Sequence, residues 1–99
     1  MALEIVWSKK ADRTFDSILE YLSSDWGDSS TKSFVKKVYA FLDVLVEFPG
    51  IGTIENKEKE IRGFPITKHL VLFYQIRGNR IILLDFFDTR QNPAEKDIN

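Results

Sequence analysis

The sequence predicts an α+β fold, β-α-α-β-β-β, with a helical hairpin packed on one face of a mostly antiparallel four-stranded sheet. Three observations carry this. Two stretches in the first half repeat apolar residues at helical spacing. The second half, from Glu60 to Pro93, reads as a three-strand meander, with its last two runs joined at Gly78-Asn79. Gly takes positive φ freely and Asn tolerates it, so this pair marks a hairpin turn. Finally, LVLFYQI and RIILLDFF are apolar at consecutive positions, as expected of strands covered on both faces over part of their length.

In chain order, Glu4 to Trp7 is a short β-rich run, and Ser8 is a suitable N-cap for a first helix. Ala11, Phe15, Ile18, Leu19 and Leu22 form its apolar face, and Ser23, Ser24, Asp25 and Gly27 are expected to break it. Asp28, Ser29 or Ser30 can cap a second helix, whose apolar face carries Phe34, Val38, Phe41, Leu42 and Leu45. Val35, Tyr39, Val44 and Val46 widen that surface, so this helix should touch both the first helix and the sheet. Phe48-Pro49-Gly50 ends it. Ile51 to Lys59 reads as a polar connection and Lys59 to Phe64 as a third strand ending at Pro65. No linker or repeat divides the 99 residues, so a single domain over 1–99 is expected.

Composition excludes several chemistries. There is no cysteine, which removes disulfides, thiolate metal ligation and thiol catalysis. His69 is the only histidine, so a multi-histidine metal site is excluded and no metal or cofactor is expected. Asp85 and Asp88 read as a solvated face rather than a cation site. No phosphate-binding loop, nucleophile elbow, secretory signal or membrane-length apolar run is visible, and a cytoplasmic location is expected.

Net charge is −1, unevenly spread. Up to Gly50, eight carboxylates outnumber six cations; from Glu55 to Arg80, six cations face three carboxylates. That local excess suits an acidic partner or a phosphate backbone, and equally a solvated sheet edge. The cluster is Lys57, Lys59, Arg62, Lys68, His69, Tyr74, Arg80 and Arg90. Phosphodiester cleavage needs cations on the phosphate oxygens and one group that moves a proton. Arginine suits the first role; His69 or Tyr74 could serve the second.

Strand alternation puts Lys68, Leu70, Leu72, Tyr74 and Ile76 on one face and His69, Val71, Phe73 and Gln75 on the other. Leu70, Leu72 and Ile76 read as helix-facing, which makes Tyr74 a core tyrosine and sends His69 to the face away from the helices. The scaffold face is expected to comprise Leu70, Leu72, Ile82 and Leu84.

The chain resembles the RelE/ParE superfamily of bacterial type II toxins. The resemblance lies in S-K-K-A (Ser8 to Ala11), I-L-E-Y-L (Ile18 to Leu22) and P-x-x-G (Pro49 to Gly52). It continues through I-R-G-F-P (Ile61 to Pro65), the hairpin runs and D-T-R-Q-N-P (Asp88 to Pro93). It implies a helical hairpin over an antiparallel sheet, and a toxin neutralised by a cognate antitoxin, with DNA contacted only through that antitoxin. RelE-like members cut mRNA on the ribosome; ParE-like members inhibit DNA gyrase. Lys57, Lys59, Arg62 and Arg80 fall where RelE-like members carry basic residues, but no tyrosine or histidine follows Tyr74. Phe87 stands where many relatives have histidine, and Arg90 matches the terminal arginine. The resemblance therefore favours a ParE-like gyrase inhibitor over a metal-independent mRNA interferase or a non-toxic antitoxin-binding module. It assigns target contact to Arg62, Lys68, His69, Phe87 and Arg90.

Overall fold

The structure, a computed structural model, describes residues Leu3 to Arg90. Strand β1 (Glu4–Trp7) leads into helices α1 (Lys9–Asp25) and α2 (Asp28–Glu47). Strands β2 (Thr53–Asn56), β3 (Ile61–Thr67), β4 (Leu70–Arg77) and β5 (Arg80–Asp88) follow. The sheet has five strands in the order β1-β5-β4-β3-β2, one more than expected. It is mixed, because β1 runs parallel to β5 while the other pairings are antiparallel.

Ser8 makes the parallel start possible. Its Oγ accepts from Ala11 N at 3.0 Å, capping α1, and donates to Leu84 O at 3.0 Å. Its backbone N–H donates to Leu83 O at 3.0 Å. One residue therefore ends β1, starts α1 and ties both to β5. Helix α1 continues through Ser23, Ser24 and Asp25 rather than breaking there, since Trp26 N–H still reaches Leu22 O. Gly27, not Asp28, Ser29 or Ser30, occupies the N-cap of α2, and no side chain caps it. Phe48 caps the other end, as its position before Pro49 predicts.

The core lies between the helical hairpin and one face of the sheet. Ala11, Val38, Leu45, Leu72, Tyr74, Ile81 and Leu83 are fully enclosed there, with Leu70 and Ile76 packed against them. Each Val, Leu or Ile side chain among them contributes roughly 1.5–3 kcal/mol by leaving water. Trp7, Phe15, Phe34 and Phe86 join β1, both helices and β5 through ring contacts of 5.1–6.0 Å. Phe41 stacks on Phe64 at 4.3 Å, seating α2 on β3.

Three readings of the sheet need correction. First, β2 lies inside the stretch read as a connection. It is a four-residue, mostly exposed edge strand with no buried apolar face to reveal it. Second, β3 covers Ile61–Thr67 and includes Pro65 instead of ending before it. Its pairing with β2 stops at Gly63, so β3 is already an edge at Pro65, where the missing N–H is tolerated.

Third, the inward residues of β5 are Ile81, Leu83 and Phe86, whereas Ile82 and Leu84 are half-buried outside the core. The register with β4 shifts between Phe73 and Tyr74, which pair with Asp85 and Leu83. This bulge inserts Leu84 and resets the alternation. It also lets Asp85 reach α1, accepting from Thr14 Oγ1 at 2.6 Å and facing Lys10 Nζ at 3.6 Å.

Candidate functional site

The predicted site residues divide between the two ends of the sheet. Five residue steps along β4 separate the rung at Gln75–Ile61 from the rung at Leu70–Asp88, roughly 17 Å. No single pocket gathers them among the described residues.

At the first end, Lys57 and Lys59 occupy the tight turn between β2 and β3. Glu60, with φ 54°, closes that turn and accepts from Ile76 N–H. Lys59 N–H donates to Asn56 Oδ1, and Lys59 O accepts from Gln75 Nε2. Lys57, Glu60 and Arg62 line a shallow cavity of about 230 Å³ floored by Ile54, Ile61 and Ile76. Arg80 lies elsewhere, two strands and three rungs from Arg62, or roughly 14 Å, with its Nε 3.2 Å from Glu4 Oε1.

Arg62 serves the fold. Its Nη1 donates to Gly50 O at 3.1 Å and to Gly52 O at 2.8 Å. Tyr74, the expected core tyrosine, completes the clamp: its hydroxyl donates to Pro49 O at 2.8 Å and accepts from Gly52 N–H at 2.9 Å. Burial pushes the Tyr74 hydroxyl pKa up, opposed by the Gly52 bond and the Arg62 charge, so it stays a neutral donor. A Cβ on Gly52 would stand 2.7 Å from Tyr74 Oη and 2.9 Å from Gly63 O. The loop after α2 can approach this closely only with glycine there.

At the opposite end, Lys68 and His69 form the β3–β4 turn, and Arg90 follows β5. His69 is not on a strand, so strand alternation does not fix its direction. It lies on the helix side, not the far face, and shares a cavity of about 220 Å³ with Ile18, Tyr21, Leu22, Phe34, Thr67, Leu70, Asp88 and Arg90. Its carbonyl accepts from Thr89 N–H at 2.8 Å, joining the turn to the segment before Arg90. Phe87 pairs with Val71 and meets Phe73 edge-on at 6.3 Å, so it belongs to a separate apolar group away from the cavity.

Arg90 grips Asp88 through two parallel bonds, Nε to Oδ1 at 3.0 Å and Nη2 to Oδ2 at 2.6 Å. Arg90 N–H adds a third at 2.9 Å. These bonds hold the Asp88 carboxyl pKa down at about 2, below the usual carboxylate range. Its folded pKa is depressed, so its contribution to stability is full above the unfolded value and is lost as pH falls towards about 2. Arg90→Ala should return the Asp88 titration, followed by carboxyl NMR, towards 3.8, with little change in melting temperature because the pair is at the surface.

A family model described as the ParE toxin of the type II toxin–antitoxin system, parDE, matches residues 5–93. The chain belongs to the ParE toxin family. Solved structures agree on the fold. The chromosomal ParDE toxin–antitoxin system from P. aeruginosa superposes with a TM-score of 0.72 at 15% identity, covering 88% of this chain and 96% of that chain. The YoeB dimer from Staphylococcus aureus gives 0.60 at 19% identity, covering 88% and 97%. The YoeB/ParE toxin from Agrobacterium tumefaciens gives 0.60 at 13% identity, covering 87% and 98%. No curated protein sequence matches.

In this ParE-family toxin, P-x-x-G and I-R-G-F-P are two halves of one clamp. Pro49, Gly50 and Gly52 present backbone groups, while Arg62 and Tyr74 hold them. Sequence reasoning missed the cavity beside Arg90. Ile18, Leu22 and Phe34 carry the helical period of core residues, and only the way the helices overhang the sheet leaves a space between them.

Proposed function

We propose that this ParE-family toxin arrests growth by contacting a protein target, DNA gyrase, and that a cognate antitoxin neutralises it. The observation that carries this reading is the structural employment of three of the six groups an RNA-cleaving site could draw on. Arg62 is bonded to Gly50 O and Gly52 O, the Tyr74 hydroxyl is fully enclosed, and Arg80 faces Glu4. Phosphate clamping and proton transfer require these groups to face the substrate. A partner antitoxin is supported by the family's description as one half of a toxin–antitoxin system. It is also supported by a solved YoeB–YefM complex from Staphylococcus aureus, which matches with a TM-score of 0.56 at 17% identity over 88% of this chain and 97% of that chain. Such a target places the toxin in the cytoplasm.

Purified toxin should inhibit supercoiling of relaxed plasmid by purified gyrase in a dose-dependent manner. The protein encoded beside it should restore the activity. Normal supercoiling together with cleavage at ribosomal A-site codons in primer extension would replace this reading with an mRNA interferase. Unimpaired growth during soluble overexpression would point to an antitoxin-binding module without toxicity.

A further inference from the structure

The cavity at the end of α1 has the composition of an anchor site. Its floor is apolar: Ile18, Leu22, Phe34 and Leu70. At about 220 Å³ it holds the liquid volume of about seven waters, enough for one leucine-sized side chain. Its rim is polar and carries Arg90, which is two-thirds exposed.

Asp88 takes only one edge of that guanidinium, the Nε–Nη2 edge. A guanidinium has five N–H donors in a fixed plane, so its Nη1–Nη2 edge can still grip a second carboxylate. No described residue takes that outer edge. Asp88 thereby orients Arg90 as well as pairing with it. The two bonds from Thr89 to His69 O fix the neighbouring turn, so the rim is set before anything binds. Asp88 and Arg90 both line this rim, and Lys68 precedes His69 in the same turn.

We propose that this cavity is an anchor site for a partner-protein segment bearing one large aliphatic side chain beside a carboxylate. The side chain fills the floor and the carboxylate takes the outer edge of Arg90. The inference rests on the reading that this toxin works by protein contact, but not on which protein it contacts. An apolar floor distinguishes this ligand from a nucleic-acid phosphate, which would leave the floor empty.

The test uses N-acetyl-L-leucine, which combines both features, and N-acetyl-L-leucinamide, which lacks the carboxylate. In amide NMR of the full chain, the acid should shift Leu22, His69, Leu70 and Arg90 with about millimolar affinity, as befits so small a ligand. The amide should bind about tenfold more weakly, and Arg90→Gln should erase the difference. Equal binding of acid and amide, no shifts at these residues, or tighter binding there by adenosine monophosphate would each overturn the proposal. Its failure with gyrase still inhibited discards only the anchor. Anchor binding without gyrase inhibition supports the anchor and rejects gyrase as the target.

Discussion

Gly52→Ala is expected to destabilise this toxin by about 2–4 kcal/mol, because overpacking and the displacement of buried hydrogen bonds act together. The new methyl would stand 2.7 Å from Tyr74 Oη and 2.9 Å from Gly63 O, and neither can retreat easily. Tyr74 is fully buried, while Gly63 has the Phe73 ring packed against it. For a domain of this size the melting temperature should fall by about 10–25 °C in a thermal scan. Tyr74→Phe should cost about 1–3 kcal/mol by leaving Gly52 N–H and Pro49 O without a partner. The double variant should lose less than the sum, since removing the hydroxyl also removes one of the two atoms the methyl strikes. Full additivity would mean that the clamp does not hold the loop as described.

Leu83→Ala and Leu84→Ala should differ sharply despite identical chemistry. Leu83 is completely buried among core residues, and its truncation should cost about 2–5 kcal/mol through lost burial and a cavity. Against a typical total of 5–15 kcal/mol, that is a large fraction. Leu84 lies outside the core on the bulged part of β5, so the same truncation should cost about 1 kcal/mol or less. Chemical denaturation measures both. Similar losses, or a larger loss at Leu84, would mean that β5 keeps the unbroken alternation the sequence suggests.

These two cases show where local pattern reaches and where it stops. Both helices were legible because each buries one face against the sheet, which leaves a 3.6-residue period. The β4–β5 hairpin was legible because Gly78, at φ 59°, needs no side chain to make its turn. Tyr74 was placed correctly because β4 keeps a two-residue alternation from Leu70 to Ile76. On β5 the same reasoning chose Ile82 and Leu84, since a bulge leaves no mark in hydrophobicity. His69 was misplaced for a related reason: a turn residue is aimed by the chain on both sides of it, not by strand parity.

The candidate site was less legible than the fold. Charge and resemblance picked out Lys57, Lys59, Arg62, Lys68, His69, Arg80, Phe87 and Arg90, yet the fold disperses them. Arg62 is bonded to backbone carbonyls, and Phe87 joins Phe73 away from the cavity that holds His69 and Arg90. The sequence by itself determined the two helices and the four strands other than β2, the helix-facing side of β4 and membership of a toxin family, because these depend on periodicity and ordered motifs. Only the tertiary structure decided β2, the parallel seat of β1, the phase of β5 and the partners of each cation. Those depend on pairing between segments far apart in the chain, and a side chain's type does not say which distant carbonyl or carboxylate it will meet.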